Sequence, residues 1–183
     1  MFNNLKADLE RFREEAGGAG LRVVVRGMLS QGFQAILVYR FFRWFHQRGI
    51  PTQPFRFVVE RFIEATTGIS LPAEASIGKG LRIHHFGGII FHSHAVLGEN
   101  CTVYHGVTIG DKGGWGEPPR IGNNVLIGAG AKVLGDISIG DHVAIGANAV
   151  VLSSVPANSI AAGIPARVVG PNRCKEERLP DGK

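Results

Sequence analysis

Five of the seven histidines in this chain lie between positions 84 and 105. They are His84, His85, His92, His94 and His105. An imidazole has an ordinary pKa near 6.5, so at neutral pH it can take a proton from a hydroxyl and return it to a leaving group. Neutral imidazoles also bind zinc, and a His-x-His pair such as His92 and His94 can chelate a metal. The cluster therefore predicts general-base catalysis or metal binding.

The histidines lie within a run of six-residue repeats. From Ile77 to Val151 an aliphatic residue recurs every six positions, usually followed by glycine. This period predicts a triangular parallel β-helix, in which each hexad forms one short strand and a turn and three hexads close one coil. We expect glycine to follow the aliphatic residue because the turn needs a residue without steric restriction on φ.

The repeat is interrupted twice. Between Ile83 and Phe91 the spacing is eight rather than six, so two extra residues bulge out around His84 and His85. Between Ile109 and Ile121 a glycine-rich segment, residues 111–120, replaces a regular turn. Loops that project from a rigid scaffold are where function concentrates, so we expect the chemistry at these two interruptions.

A helical segment precedes the repeats. Leu5, Leu9 and Phe12 follow helical spacing, and residues 22–30, 33–47 and 55–66 form further periodic stretches. The predicted division is a helical segment at 1–70, a β-helix at 71–170 and a polar tail at 171–183. Residues 33–47 are apolar on nearly all sides but too short and too charged to span a bilayer. One interpretation buries this stretch against other helices and subunits, and the other lays it on a membrane surface with its arginines at the headgroups.

The amino-acid composition indicates which kinds of partner the protein could bind and in which cellular compartment it is expected. The chain of 183 residues is 44% hydrophobic with 26 glycines, a globular rather than a disordered composition. A formal charge of +5 suits nucleic acid, anionic lipid or a phosphate-bearing cofactor, and the repeats contain no dense basic run that would favour nucleic acid. The two cysteines are too few for a disulfide framework, and residues 1–15 lack an apolar signal core. These features predict a cytoplasmic protein.

Five sequence blocks resemble the hexapeptide-repeat acyltransferases of the left-handed β-helix type, and within them the serine acetyltransferase branch. The blocks are residues 77–85 (IGKGLRIHH), 104–110 (YHGVTIG), 127–135 (IGAGAKVLG), 145–152 (IGANAVVL) and 162–169 (AGIPARVV). The resemblance implies a left-handed β-helix, acetyl-coenzyme A as donor, no metal, and a homotrimer with coenzyme A sites between subunits. It also implies that His85 is the general base.

The resemblance also implies a cofactor site. It places Ala129 and Ala147 at the wall that meets the pantetheine arm, with the loop at Lys112 and Gly113 beside it. Lys132 and Arg167 are the candidates for binding the phosphates, since both are cations near these motifs.

The chain departs from the serine acetyltransferase pattern where that family binds serine. The family's Asp-His at the bulge is His84-His85 here, its Arg-His before proline is replaced at Glu117-Pro118, its early aspartate falls near Ala16, and its orienting carboxylate falls at Ser70. A free amino acid needs paired charges, so these losses predict a different acceptor.

The IHH motif is more similar to acyltransferases of exopolysaccharide assembly, such as the colanic acid enzyme. We therefore expect a sugar or polysaccharide hydroxyl as acceptor. In this interpretation His84, His105 and Glu117 donate or accept hydrogen bonds and Trp115 stacks on the sugar ring.

Other interpretations remain open. A true serine O-acetyltransferase is the first alternative, a zinc enzyme like the γ-class carbonic anhydrases is the second, and a non-catalytic binding subunit is the third. If His85 is a base, some group must orient its other nitrogen. The candidates are Ser70, Glu74 or a backbone carbonyl.

Overall fold

The computed structural model describes residues 2–15, 25, 27–114 and 116–172. Helix α1 spans Phe2–Glu15, helix α2 spans Gln31–His46 and helix α3 spans Phe55–Thr67. These agree with the predicted helical stretches, apart from the one at 22–30, of which residues 22–24 and 26 lie outside the described residues. No helix of the described residues is long and apolar enough to cross a bilayer.

Short strands follow the helices up to Pro171. They are β1 Ile69–Ser70, β2 Ser76–Ile77, β3 Arg82–His84, β4 Ile89–Phe91, β5 Val96–Leu97, β6 Thr102–Tyr104, β7 Thr108–Gly110, β8 Arg120–Ile121, β9 Leu126–Ile127, β10 Lys132–Leu134, β11 Ser138–Ile139, β12 Ala144–Ile145, β13 Val150–Val151, β14 Ser159–Gly163 and β15 Ala166–Pro171. The first strand lies at the end of the segment predicted to be helical, and the domain boundaries at 70 and 170 stay a prediction.

Successive strands belong to three different sheets. Sheet 1 has the order β1-β4-β7-β10-β13, sheet 2 has β2-β5-β8-β11, and sheet 3 has β3-β6-β9-β12-β14 with β15 antiparallel at its end. The other strand pairs are parallel, as in Ile83 with Val103 and Val103 with Ile127. The partner is the strand three places further on, except that β12 pairs with β14. The chain therefore winds into the three-sided parallel β-helix that the hexads predict, consistent with the left-handed form that the resemblance implies.

The inward residues of the hexads form the core. Ile109, Ile127, Val133 and Ile145 are almost completely buried, as are their counterparts on the other coils. Burying one such side chain stabilises the fold by roughly 1.5–3 kcal/mol, so the repeated stack is the main source of stability.

The glycine after each aliphatic residue has a different role from the one predicted. None of the glycines at these positions lies in the left-handed region of φ. A Cβ on Gly78 would instead lie 2.6 Å from the carbonyl carbon and oxygen of Gly98 on the next coil. The missing side chain therefore lets adjacent coils approach. Left-handed backbone occurs two residues later, at Gly80, Asn100, Asn124, Gly130, His142, Asn148 and Asn158.

The helices pack on the first coil of the solenoid. The Tyr39 hydroxyl donates to the Ala75 carbonyl at 2.8 Å and accepts from the Ile77 N–H at 3.1 Å. Arg40 is buried, and Arg43 donates to the backbone of Ala73 and Glu74, so neither guanidinium is free to meet lipid headgroups. This corrects the membrane interpretation for Arg40 and Arg43. Surface contact through the rest of the helices stays a prediction.

Candidate active site

His85 lies at a corner of the β-helix, between β3 in sheet 3 and β4 in sheet 1. Its φ of 64° is left-handed, which is uncommon outside glycine and is found mostly where the surrounding structure enforces it. The Gly87 N–H donates to the Thr67 carbonyl at 3.0 Å, at the end of α3. The eight-residue spacing thus produces the predicted bulge, which holds an exposed imidazole on a fixed backbone.

Aromatic rings surround the His85 imidazole. The His105 ring meets it edge to face, with centroids 5.6 Å apart and planes at 80°. The rings of His84 and Tyr104 lie 6.4 and 6.5 Å from it, and they stack on each other at 4.7 Å and 11°. Sequence reasoning missed Tyr104. Matching the coils in register would have found it, because Tyr104 occupies the position of His84 one coil later.

Three predicted site residues lie on the same corner as His85, on successive coils. The Gly130 N–H donates to the His105 carbonyl at 2.8 Å, and the Asn148 N–H donates to the Ala129 carbonyl at 2.7 Å. His105, Ala129 and Ala147 therefore form a column below His85, here called the histidine corner (residues 85–88, 105–106, 129–130 and 147–148). Its first two coils present imidazoles, and its last two present the methyl groups of Ala129 and Ala147, the backbone of Gly130 and the side chain of Asn148.

Two of the three predicted cations lie beside this corner. The Lys132 Nζ donates to the Gly106 carbonyl at 2.6 Å and to Thr108 Oγ1 at 3.1 Å. Arg167 is exposed on β15, paired with Ala162, which lies one coil beyond Ala147. Lys132 therefore lies between the two halves of the column, and Arg167 lies beyond its small-residue end.

The glycine-rich loop leaves a different corner. It joins β7 in sheet 1 to β8 in sheet 2, so one side of the triangle, about 10 Å at roughly 3.3 Å per residue, separates it from His85. The Lys112 Nζ donates to the Leu152 carbonyl at 3.0 Å, and Gly113 and Glu117 are exposed. Trp115 lies outside the described residues. Within one chain the structure thus does not bring Lys112, Gly113 and Glu117 to the histidine corner.

The proposed orienting carboxylate is engaged elsewhere. Glu74 accepts a hydrogen bond from Arg56, which also donates to Glu60 at 2.9 Å. Burial alone would raise the pKa of Glu74, but the Arg56 hydrogen bond and charge lower it below the usual value, so Glu74 stays ionised beside Arg56. Ser70 lines a cavity of about 90 Å³ between the helices and the first coil. The ring contacts of His85 in the described chain are all with other aromatic side chains.

The remaining histidine pair lies on the corner between sheets 1 and 2. The rings of His92 and His94 are 5.5 Å apart, and the His94 N–H donates to His92 Nδ1 at 3.1 Å. Across the described ranges no group of three or more His, Cys, Asp or Glu side chains is placed to hold a metal ion.

Comparisons with known proteins agree with this fold. Residues 118–153 match the family described as bacterial transferase hexapeptide (six repeats), and residues 93–112 match the hexapeptide repeat of succinyl-transferase. A serine acetyltransferase of Synechococcus elongatus is 38% identical over 92% of this chain and 69% of its own length. One from Helicobacter pylori is 40% identical over 93% of this chain and 99% of its own. The structure of Brucella abortus serine acetyltransferase in complex with coenzyme A has a TM-score of 0.81 at 33% identity, and covers 93% of this chain and 68% of that one.

The three-sided repeat and its corner column define a transferase built on hexapeptide repeats. The chain belongs to the hexapeptide-repeat acyltransferase family, and the relatives described above are serine acetyltransferases. It is accordingly an acyltransferase with acetyl-coenzyme A as donor. The predicted closeness to exopolysaccharide acyltransferases is not supported by these comparisons, which favour the serine acetyltransferase branch.

Proposed function

We propose that the protein transfers the acetyl group of acetyl-coenzyme A to the hydroxyl of L-serine, with His85 as general base. The observation that supports this most is the exposed His85 imidazole at the head of a column whose later coils carry the small side chains of Ala129 and Ala147. The names of relatives 35–40% identical over most of the chain support serine as the acceptor.

In the proposed reaction a single residue, His85, transfers a single proton. His85 takes the proton from the acceptor hydroxyl as its oxygen attacks the thioester carbonyl carbon. The tetrahedral intermediate then collapses, the carbon–sulfur bond breaks, and His85 returns the proton to the thiolate of coenzyme A. An ordered imidazole suits both steps because it can accept and donate at neutral pH.

The small-residue half of the histidine corner is the proposed donor site. An extended pantetheine arm can approach the backbone at Ala129 and Ala147, because neither side chain projects beyond a methyl group. Lys132 and Arg167 would bind the phosphates. We propose that a homotrimer completes the groove, with Lys112 and Gly113 brought to the cofactor by a neighbouring subunit. A cytoplasmic location also stays a prediction.

A second acceptor class has one specific observation in its favour. The aromatic rings beside His85 are those of His84, Tyr104 and His105, and none of these three side chains carries a carboxylate or a guanidinium. A free amino acid is held most strongly by such charges, whereas a sugar hydroxyl needs only hydrogen bonds and a stacking surface. A neutral sugar or polysaccharide hydroxyl is therefore the second candidate, with Glu117 and Trp115 as further contacts.

An acceptor screen distinguishes the two candidates. Thiol release from acetyl-coenzyme A is measured with L-serine, with nucleotide sugars and with polysaccharide fragments. Acceleration by L-serine with formation of O-acetylserine supports the first proposal, acceleration only by the sugars supports the second, and no acceleration by either contradicts both. His85→Ala should lower the rate by about 100-fold or more. Transfer retained within a few-fold would remove His85 from the mechanism.

A further inference from the structure

We propose that His105 is a positioning residue that orients the His85 imidazole through the contact between their rings. This inference rests on the proposed role of His85 as base. The position where the resemblance places an orienting carboxylate is Ser70 in this chain. The His105 ring takes over that orienting role.

The geometry of the pair supports an orienting contact. Of the three rings around His85, only that of His105 has its centroid within 6 Å of the His85 centroid. The centroids are 5.6 Å apart and the ring planes are at 80°. Aromatic rings prefer this edge-to-face arrangement because the positive edge of one ring meets the negative face of the other. Rotation of the His85 ring about its Cβ–Cγ bond would lose this contact, so the contact favours one ring orientation.

The backbone under both rings is fixed, so the contact does not depend on a mobile loop. The His105 carbonyl accepts from the Gly130 N–H at 2.8 Å, and the Gly106 N–H donates to the Gly87 carbonyl at 2.9 Å. The two imidazoles therefore stand on adjacent coils that are hydrogen-bonded to each other. The stack of His84 on Tyr104, at 4.7 Å, borders the same space on the sheet 3 side.

Of the other side chains considered for orienting His85, Glu74 is already engaged. Glu74 is bound by Arg56, and Ser70 lines the cavity beneath α2 and α3. A general base whose ring turns freely loses efficiency, and misplacement of a catalytic group by about 1 Å can cost roughly 100-fold in rate. Removing the His105 ring should therefore lower turnover without weakening acceptor binding.

Three substitutions separate positioning from acceptor binding. His105→Phe keeps a ring but no hydrogen-bonding nitrogen, His105→Gln keeps a polar group but no ring, and His105→Ala keeps neither. His46→Ala is the control, because it removes an imidazole at the C-terminal end of α2, the end opposite Gly32, which packs on Ile83. The kinetic constants kcat and KM for the acceptor are measured at saturating acetyl-coenzyme A.

If His105 positions His85, the Ala and Gln variants lose about 10- to 100-fold in kcat with KM for the acceptor within about twofold, and the Phe variant retains most of its kcat. The control should match the unsubstituted enzyme. The inference is overturned if Gln retains activity and Phe loses it with a raised KM, which would make His105 an acceptor-binding residue, or if Ala has no effect.

A second measurement does not depend on knowing the acceptor. Proton NMR, through Overhauser contacts between the His85 ring protons and neighbouring side chains, reports whether the ring holds one orientation. We expect one dominant ring orientation in the unsubstituted protein and in His105→Phe, and averaging over several orientations in His105→Ala. An unchanged His85 ring orientation in His105→Ala contradicts positioning, even if the acceptor screen has failed for other reasons.

Discussion

The side chains of Asp8 and Arg40 form a two-pronged ion pair buried between helices α1 and α2 and the first coil of the β-helix. The Arg40 Nε lies 2.8 Å from one carboxylate oxygen of Asp8, and its Nη2 lies 3.1 Å from the other. Asp8 also accepts the Leu81 N–H at 2.9 Å, and Arg40 donates to the carbonyls of Ile77 and Gly78. This network fastens the helical segment to the solenoid, next to the coil that bears His85.

We expect Asp8→Ala to lower the free energy of unfolding by about 3–5 kcal/mol, because it leaves the buried Arg40 charge without its partner. Urea denaturation followed by circular dichroism measures this. Lys6→Ala is the control, since the Lys6–Glu10 pair is exposed and 3.8 Å apart, and exposed pairs contribute little. Equal losses in the two variants would contradict a special role for the buried pair.

Because the coils stack closely, adding one methyl group at Gly98 should destabilise the fold. A Cβ there would lie 2.7 Å from the carbonyl of Gly122 on the next coil, and backbone cannot move away as a flexible side chain can. We expect Gly98→Ala to cost about 1–3 kcal/mol in denaturant unfolding. Gly170→Ala is the matched substitution in open space and should change stability by at most about 1 kcal/mol.

Burial makes the Cys101 thiol unreactive. It raises the pKa of Cys101 to about 11, from an ordinary value of 9.0, so the thiolate that reacts with alkylating reagents is scarce at pH 8. We expect iodoacetamide to modify Cys101 only as fast as the protein unfolds. Peptide mass analysis with a denatured sample as control measures this, and rapid alkylation in the folded state would show that the thiol is accessible.

The same raised pKa predicts a dependence of stability on alkaline pH. The folded state holds the Cys101 proton more tightly than the unfolded state, so this contribution is fully present below pH 9 and is lost as the pH rises towards 11. The melting temperature should therefore fall over that range, and less steeply in Cys101→Ala. Identical slopes in the two proteins would contradict the predicted linkage.

Ala147 tests the donor site. Its side chain is exposed at the small-residue end of the histidine corner, so a larger side chain there should block the cofactor without disturbing the core. We expect Ala147→Leu to weaken coenzyme A binding about tenfold or more by calorimetry. Ser138→Leu, an exposed position on sheet 2, should bind normally. Unchanged binding in Ala147→Leu would move the cofactor away from this corner.

Much of the architecture follows from local repetition in the sequence. A period of six with three strands per coil sets the pairing of Ile83 with Val103 and of Val103 with Ile127, because each inward residue must stack on the one three hexads away. The spacing of eight at His85 likewise predicts the bulge. The acceptor could not be chosen in the same way, since it depends on which side chains converge from different coils, and the relatives favour serine over the predicted sugar.

The sequence by itself determined the three-sided solenoid and the positions of its two interruptions, because burial every six residues is a local property that can be read along the chain. Only the tertiary structure showed that the two interruptions leave different corners of the β-helix. It also showed that the His85 ring contacts the His105 ring rather than Glu74, and that Asp8 pairs with Arg40. These relationships join residues far apart in the chain. They arise because the coils wind around a common axis and the helices pack on the first coil. A periodic pattern in the sequence does not predict either arrangement.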